Sequence, residues 1–342
     1  MLEKKQMKAY NPIAKNSLII GFSVLGLVLA FIISLMLGTK NYSLVTVYQA
    51  LFDYNSTLSS HQIIHDIRLP RTLAAMMIGA FLALSGCIMQ VLTRNPLAEP
   101  SLLGVSHGAA FALVLSLAFF PNLSITGTTL ACIVGAGVAV LFVFGLALLS
   151  KGGNNPVKLA LAGVALGMFL SSLTSSIGLY KNVAKDMSFW FAGGLSSIDW
   201  NGVKMLVIFG IIGILFVIMI SRALTVLHLG EDVSKGLGVH ITVVRTLGIL
   251  AVLLLTGSSV AVSGAIGFVG LVVPHICRMI IGTDYRLLLP FSAFFGGILL
   301  VLADVGAKFL NPPYETPVGV VTALLGVPFF LYLVRKGKGR SL

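Results

Sequence analysis

The sequence is 342 residues long, 57% hydrophobic and only 10% charged. Soluble domains carry about a quarter charged residues, so this composition excludes an ordinary soluble enzyme, and its apolar content excludes a disordered chain. The formal net charge of +12 does not indicate a nucleic-acid partner, because Lys and Arg stand in short segments between apolar runs. Such segments are typical of the connections of a membrane protein. We therefore expect a polytopic membrane protein that binds no nucleic acid.

The apolar runs predict an all-α fold of about ten transmembrane helices. They cover residues 17–38, 72–92, 101–120, 124–149, 156–179, 203–221, 246–267, 268–282, 287–307 and 316–334. Most are long enough for the roughly 20 residues that a bilayer requires, whereas the eighth is short. The first run is longer than the core of a signal peptide, so we interpret it as a retained span.

The basic residues predict the orientation of these spans. With a cytoplasmic N-terminus and ten crossings, 15 of the 23 Lys and Arg lie in inside segments and 7 in outside segments. Because basic residues favour cytoplasmic connections, this distribution predicts a multi-pass protein of the cytoplasmic membrane with both termini inside.

An internal repeat indicates how the spans are related. Gly79, Ser85, Gly86, Pro96 and Gly104 return at an offset of 178 residues, without a gap. The list of their counterparts is Gly257, Ser263, Gly264, Pro274 and Gly282. The copies are five spans apart, so the second crosses in the opposite direction. Inverted repeats of this kind build many transporters.

The spans contain few groups that could perform chemistry. Glu99, Arg278 and Asp304 lie near predicted span ends, where snorkelling or interfacial pairing accounts for them. The sequence has no phosphate-binding loop of the G-x-x-x-x-G-K-[ST] type. We therefore expect no catalytic residue, metal site or cofactor in this chain, and Cys87, Cys132 and Cys277 to be buried packing residues. An ion-coupled secondary transporter stays an alternative, although it generally needs ionisable groups deep in the membrane.

Two connections carry candidate binding residues. The outside connection 40–71 ends in Arg68 and Arg71, and Lys308 is a third basic residue on the same side. Arginine pairs well with carboxylates, so these residues either dock an acidic partner or anchor the chain at the interface. The inside connection 222–245 is amphipathic, with Leu224, Leu227 and Val233 predicted on one face of two short helices. It either inserts into a soluble partner or is a solvated surface segment.

Over nearly its whole length the chain resembles the permease subunits of ATP-binding-cassette (ABC) importers for iron-siderophores, haem and cobalamin. The matching strings are R-L-P-R (68–71), N-P-L-A-E-P (95–100), W-F-A-G-G (190–194), L-G-E-D (229–232), G-A-I-G-F-V-G-L-V-V-P-H (264–275), G-T-D-Y-R (282–286), E-T-P-V-G (315–319) and G-V-P-F (326–329). With S-H-Q-I-I (60–64) before R-L-P-R, the pattern is most similar to ferrichrome-type iron-hydroxamate permeases of Gram-positive bacteria.

This resemblance implies a single transmembrane permease domain over residues 1–342, with repeat halves at about 68–200 and 245–334. It implies a second permease subunit, identical or related, two ATPase subunits that carry ATP and Mg²⁺, and an extracytoplasmic binding lipoprotein. The implied cargo is a ferric siderophore, with haem or cobalamin as alternatives.

The resemblance also assigns roles to individual residues. Arg68, Arg71 and Lys308 match the positions that dock the binding protein, although family members often carry Arg where Lys308 stands. The residues implied in ATPase coupling are Leu229, Gly230, Glu231, Asp232, Gly236, Leu237 and Gly238. The residues implied in a cytoplasmic gate are Asn95, Pro96, Leu97, Asn155 and Pro156.

Overall fold

The computed structural model describes residues 12–149, 156–311 and 314–337, and in these ranges the chain forms helices and no β-strand. The α-helices are α1 (Pro12–Met36), α2 (Leu44–Phe52), α3 (Ser59–Gln62), α4 (Leu69–Leu92), α5 (Val105–Phe119), α6 (Ile125–Leu149), α7 (Pro156–Tyr180), α8 (Ala184–Phe191), α9 (Trp200–Leu227), α10 (Glu231–Gly236), α11 (Ile241–Ser263), α12 (Val269–Ile281), α13 (Tyr285–Leu310) and α14 (Val318–Gly337). A π-helical segment, Ile63–Arg68, joins α3 to α4, and a 3₁₀ turn, Pro100–Leu103, precedes α5.

In the ranges that the structure describes, ten apolar helices account for the ten predicted runs. In the described part of the chain, seven helical stretches are long and apolar enough to cross a membrane: α1, α6, α7, α9, α11, α13 and the continuous stretch from α3 through α4. The helices α5, α12 and α14 are apolar but shorter. The prediction of an all-α polytopic membrane protein is therefore confirmed.

Helix α4 lies at the centre of the bundle, in contact with α9, α11, α12 and α13. Nearly every side chain from Ala74 to Leu92 is buried. The close approach of its neighbours depends on glycine, because a methyl group at Gly79 would overlap the carbonyl oxygen of Gly296, and one at Gly86 that of Gly270. Small residues at such contacts allow helix backbones to pack tightly where no hydrophobic effect drives association.

The two halves of the bundle share one packing pattern. In the first half α4 contacts α12 and α13 of the second half, and α11 of the second half contacts α5 and α6 of the first. Gly104 and Gly282, which the repeat pairs, both have positive φ (77° and 82°) and end a segment before a helix. Residues paired by the offset of 178 do not all have the same structural environment. Pro96 lies in a connection, whereas Pro274 lies inside α12.

The segment between α11 and α12 is a break within a predicted span. The run 246–267 was expected to be one helix, but α11 ends at Ser263 and residues 264–267 are not helical. Gly264 and Phe268 adopt positive φ (74° and 69°), which a continuous right-handed helix does not allow. The Gly193–Gly194 pair packs against this break, with the N–H of Gly194 donating to Ser263 at 2.9 Å.

The connection 40–71 is more helical than a plain loop. It contains α2, which Ser43 caps by accepting a hydrogen bond from the N–H of Thr46 at 3.1 Å, and α3, which continues into α4. Pro70 is the second residue of α4 and has no N–H to donate, and the π-helical segment just before α4 interrupts the regular hydrogen-bond pattern at this point.

Candidate functional site

A cluster of four charged residues, three of them buried, joins three parts of the bundle at one end. Arg71 of α4 donates to Asp304 of α13 from Nε at 3.0 Å and from Nη2 at 2.8 Å. Its Nη1 donates to both carboxylate oxygens of Glu315 at 2.9 Å, and Lys308 Nζ lies 3.0 Å from Asp304 Oδ2. The four formal charges cancel, which is the condition under which charges are stable in a low-dielectric interior.

The burial of this charge cluster differs among its members. The side chains of Arg71 and Lys308 are each 7% exposed and that of Asp304 only 1%, whereas Glu315 is 42% exposed. Glu315 lies just before α14, so the Arg71 guanidinium ties the entry of α14 to α4 and α13. The contact of Arg71 with Asp304 uses two nitrogens and is bidentate, and such pairs are both strong and directional.

Arg68 is buried beside the cluster and holds the end of α1. Its guanidinium donates to the carbonyl oxygens of Leu35 at 2.7 Å and Met36 at 3.1 Å, and also to that of Lys40. The Arg68 guanidinium lies 4.6 Å from the ring centroid of Tyr42. A cation at the C-terminal carbonyls of a helix satisfies acceptors that the helix itself leaves free.

The three residues that the resemblance assigns to docking thus lie at one end of the bundle, but their charged groups contact other groups of this chain. The structure shows that Arg68, Arg71 and Lys308 connect α1, α4, α13 and the entry of α14. Their role in docking a binding protein stays a prediction.

The opposite end of α4 contacts the predicted coupling segment. A Glu231 carboxylate oxygen at the start of α10 lies 2.8 Å from Arg94 Nη2 and 2.5 Å from Arg245 Nη2. The Ser234 hydroxyl donates to the carbonyl of Gly230 at 2.6 Å, and it lies 3.1 Å from that of Val226 in α9. These contacts fix α10 against the ends of α4, α9 and α11.

Three exposed apolar side chains lie on and beside α10. Leu229 precedes the helix, Val233 lies within it and Leu237 caps its end. Their side chains are 63%, 47% and 65% exposed. We call these three residues the α10 stripe. It lies at the end of the bundle, beyond the spans, where exposed apolar side chains indicate contact with a partner.

The expected arrangement of the inside connection was partly wrong. Leu224 and Leu227 are buried within α9, which extends to Leu227, so Val233 does not share a face with them. One short helix, α10, occupies the connection instead of two, because the first part of the connection belongs to α9. Gly230 (φ 115°) separates α10 from α9, and Gly238 (φ 77°) follows its end.

The predicted gate and coupling residues meet across a cleft of about 360 Å³. Pro96 lines one side and Leu229 and Gly230 the other. Asn95 shapes its own turn by accepting a hydrogen bond from the N–H of Leu97 at 2.9 Å. Of the second predicted gate pair, Pro156 begins α7 and Asn155 lies outside the described residues.

His228 lies beside the same cleft. Burial, together with the nearby guanidinium of Arg278, lowers the pKa of His228 from its ordinary value. The imidazole is therefore neutral at neutral pH.

Two polar links between the halves were missed from the sequence. The Glu99 carboxylate accepts a hydrogen bond at 2.8 Å from the N–H of Phe268, at the start of α12. Arg278 donates to Gln90 Oε1 at 2.5 Å, and Gln90 Nε2 donates to the carbonyl of Gly270 at 3.2 Å. Glu99 and Arg278 were interpreted as residues at span ends, whereas both bind groups of the other half. In the sequence, the only sign of these links was that both residues are charged and stand among largely apolar neighbours.

Groups suited to metal binding or thiol chemistry are scarce. Among the described residues no three His, Cys, Asp or Glu side chains are grouped so that they could hold a metal ion. Cys87, Cys132 and Cys277 are free and buried, as the sequence predicted.

The fold and these two ends define a polytopic membrane permease. The chain belongs to the FecCD transport family, which it matches over residues 26–336. This is a family of ABC transporter permease subunits, which are transport components rather than enzymes and work with other transporter subunits.

The sequence is similar to permeases that are named for different substrates. The iron(3+)-hydroxamate import system permease protein FhuB of Bacillus subtilis (strain 168) is 49% identical over 91% of this chain and 81% of its own. The iron-uptake system permease protein FeuB of the same organism is 40% identical over 93% of this chain and 96% of its own. The cobalamin import system permease protein BtuC of Halobacterium salinarum is 36% identical over 88% of this chain and 80% of its own.

Solved structures share the fold. A metal-chelate type ABC transporter in an inward-facing conformation superposes with a TM-score of 0.81 at 32% identity, covering 94% of this chain and 99% of the other. PsaBC of Streptococcus pneumoniae superposes with a TM-score of 0.54 at 17% identity, covering 77% of this chain and 88% of the other, which shows similarity of fold alone.

Proposed function

We propose that this chain is the membrane-spanning subunit of an importer that carries a ferric siderophore of the hydroxamate type across the cytoplasmic membrane. The observation that supports this choice of substrate is the 49% identity, over 91% of the chain, with an iron(3+)-hydroxamate permease. The relative named for cobalamin is 36% identical, which makes cobalamin the second candidate cargo. Haem stays an alternative from the resemblance.

The proposed orientation has both termini and α10 in the cytoplasm. The excess of basic residues in the inside segments supports it, because such residues are retained on the cytoplasmic side. The charge cluster around Arg71 then lies at the outer end, and the α10 stripe lies where a soluble ATPase can reach it.

The α10 stripe is the proposed contact with the ATPase subunits. Leu229 and Leu237 supply exposed apolar surface, and the Glu231 carboxylate links this surface to Arg94, directly before Asn95 and Pro96. A displacement of α10 is thus transmitted to the segment 95–97. In this proposal ATP and Mg²⁺ bind to the ATPases, and this chain holds no cofactor.

Transport requires further subunits in this proposal. A second permease subunit, identical or related, completes the translocation path, and a binding lipoprotein delivers the cargo at the outer end. Docking through Arg68, Arg71 and Lys308 would require acidic groups of that protein to compete with Asp304 and Glu315 for the Arg71 guanidinium. The exposed carboxylate of Glu315 is the accessible part of this cluster.

The substrate proposal is tested by uptake in cells that lack the gene. Radiolabelled ferric hydroxamates, ferric catecholates, haem and cobalamin are supplied separately, with and without the gene on a plasmid. Gene-dependent uptake of ferric hydroxamates alone supports the proposal. Gene-dependent uptake of cobalamin or haem with unchanged hydroxamate uptake contradicts it and leaves the permease assignment intact.

A further inference from the structure

A groove of about 810 Å³ runs between α9 and α13 on the outside of the bundle. Ile214 and Ile218 of α9 line one wall, Leu289 and Ala293 of α13 line the other, and Leu84 of α4 lies at the floor. Ile218 is 63% exposed, so the groove is open along the apolar surface that faces lipid. The groove is separate from the cleft beside α10 and from the charge cluster around Arg71.

Two arginines stand at one end of this groove. Arg222 of α9 and Arg286 of α13 both line it and both are exposed. The two helix ends are joined there by the hydrogen bond from the N–H of Tyr285 to the Thr225 hydroxyl at 3.0 Å. Among the described residues neither Arg222 nor Arg286 forms an ion pair. The nearby Asp284 accepts a hydrogen bond from the N–H of Arg286 at 3.0 Å.

The geometry points to a binding site for an anionic phospholipid, with the headgroup phosphate on Arg222 and Arg286 and an acyl chain along the groove. The charges are complementary, because guanidinium groups bind phosphate oxygens in a bidentate manner. Basic pockets between membrane helices recognise anionic headgroups in this way.

The length of the groove fits the upper part of an acyl chain. The lining residues span 214–222 on α9 and 285–294 on α13, which corresponds to about 12 Å along α9 and about 13 Å along α13. A zwitterionic lipid has the same chains but lacks the net charge, so the arginines favour the anionic headgroup.

The test is lipid binding to the purified full-length chain, measured by native mass spectrometry after delipidation. Phosphatidylglycerol and phosphatidylcholine with identical acyl chains are titrated separately. We expect phosphatidylglycerol to bind about 30-fold more tightly, and R222Q combined with R286Q to reduce its affinity to that of phosphatidylcholine. The charge-matched control combines K204Q with R335Q, at two exposed positions that do not line the groove, and retains the preference.

A second pair of variants tests the acyl-chain part of the site. A293W fills the groove and is expected to abolish the tight phosphatidylglycerol site, whereas L215W, at a 54% exposed position of α9 that does not line the groove, retains it. If R222Q with R286Q does not fold, R222K with R286K keeps the charge and is expected to reduce the preference partially, because lysine lacks the bidentate geometry.

Three results overturn the proposal. They are equal affinity of the wild-type chain for both lipids, an unchanged preference in R222Q with R286Q, and tight binding that survives A293W. If R222Q with R286Q instead releases a co-purified subunit while lipid binding is unchanged, the surface is a protein interface and the lipid proposal is wrong.

Discussion

Arg71 on α4 and Asp304 on α13 form a bidentate ion pair inside the bundle, although they are 233 positions apart in the sequence. Asp304 also pairs with Lys308, one turn further along α13. One carboxylate, 1% exposed, therefore pairs with two buried cations. The contact between α4 and α13 thus depends on this residue as well as on the Gly79–Gly296 approach.

Removal of the Asp304 charge is expected to destabilise the protein strongly. D304N leaves the charges of Arg71 and Lys308 buried with a weaker partner, and the loss of one member of a buried pair costs about 3–5 kcal/mol. Thermal unfolding of the purified chain in detergent measures this effect. The control E315Q, at a 42% exposed position, is expected to have a clearly smaller effect. Equal destabilisation by the two variants would contradict the role given to burial.

A methyl group at Gly86 is expected to separate α4 from α12. The added carbon of G86A would overlap the carbonyl oxygen of Gly270, so the helices must move apart at a cost of about 1–3 kcal/mol. The matched control is G145A, because no atom lies within 4 Å of the carbon added there. Unfolding temperatures of the two variants are compared, and no difference between them would refute the close contact.

Polar substitution of the α10 stripe is expected to weaken binding of the ATPase subunits. L229D combined with L237D places carboxylates on exposed apolar positions, so folding is retained while the ATPases no longer co-purify. The control L58D introduces a carboxylate at a 45% exposed leucine in the connection before α4. Normal co-purification of the ATPases with the double variant would show that this surface does not bind them.

The Glu231 links are expected to matter for coupling more than for stability. E231Q removes the partner of Arg94 and Arg245, and partly exposed ion pairs contribute only about 0–1 kcal/mol. We expect assembled transporter with reduced transport per ATP hydrolysed, measured in proteoliposomes. D232N, which removes the neighbouring exposed carboxylate, is the control. Unimpaired transport by E231Q would mean that this link does not transmit movement of α10.

The spans could be predicted because hydropathy is a local property. Each apolar run, from 17–38 to 316–334, overlaps a helix, and Gly104 and Gly282, which the repeat pairs, both have positive φ in the structure. The break at Gly264–Phe268 was missed, since its residues are as apolar as their neighbours and only the backbone conformation ends the helix.

The partners of the charged residues could not be predicted in the same way. Arg71 was identified as a candidate for carboxylate pairing, but the carboxylates come from Asp304 and Glu315, which only the packing of α4 against α13 brings near. Glu99 binds the N–H of Phe268, a group that becomes free only because α12 starts there. Such contacts depend on tertiary structure and leave no local pattern.

The central claim is ATP-driven import of a ferric hydroxamate, and accumulation in proteoliposomes tests it most directly. The assembled transporter, with its binding protein, is supplied with radiolabelled ferric hydroxamate and either ATP–Mg or an imposed proton or sodium gradient. The account predicts accumulation with ATP alone, and its loss in L229D with L237D. Accumulation driven by an ion gradient without ATP would contradict it and indicate a secondary transporter instead.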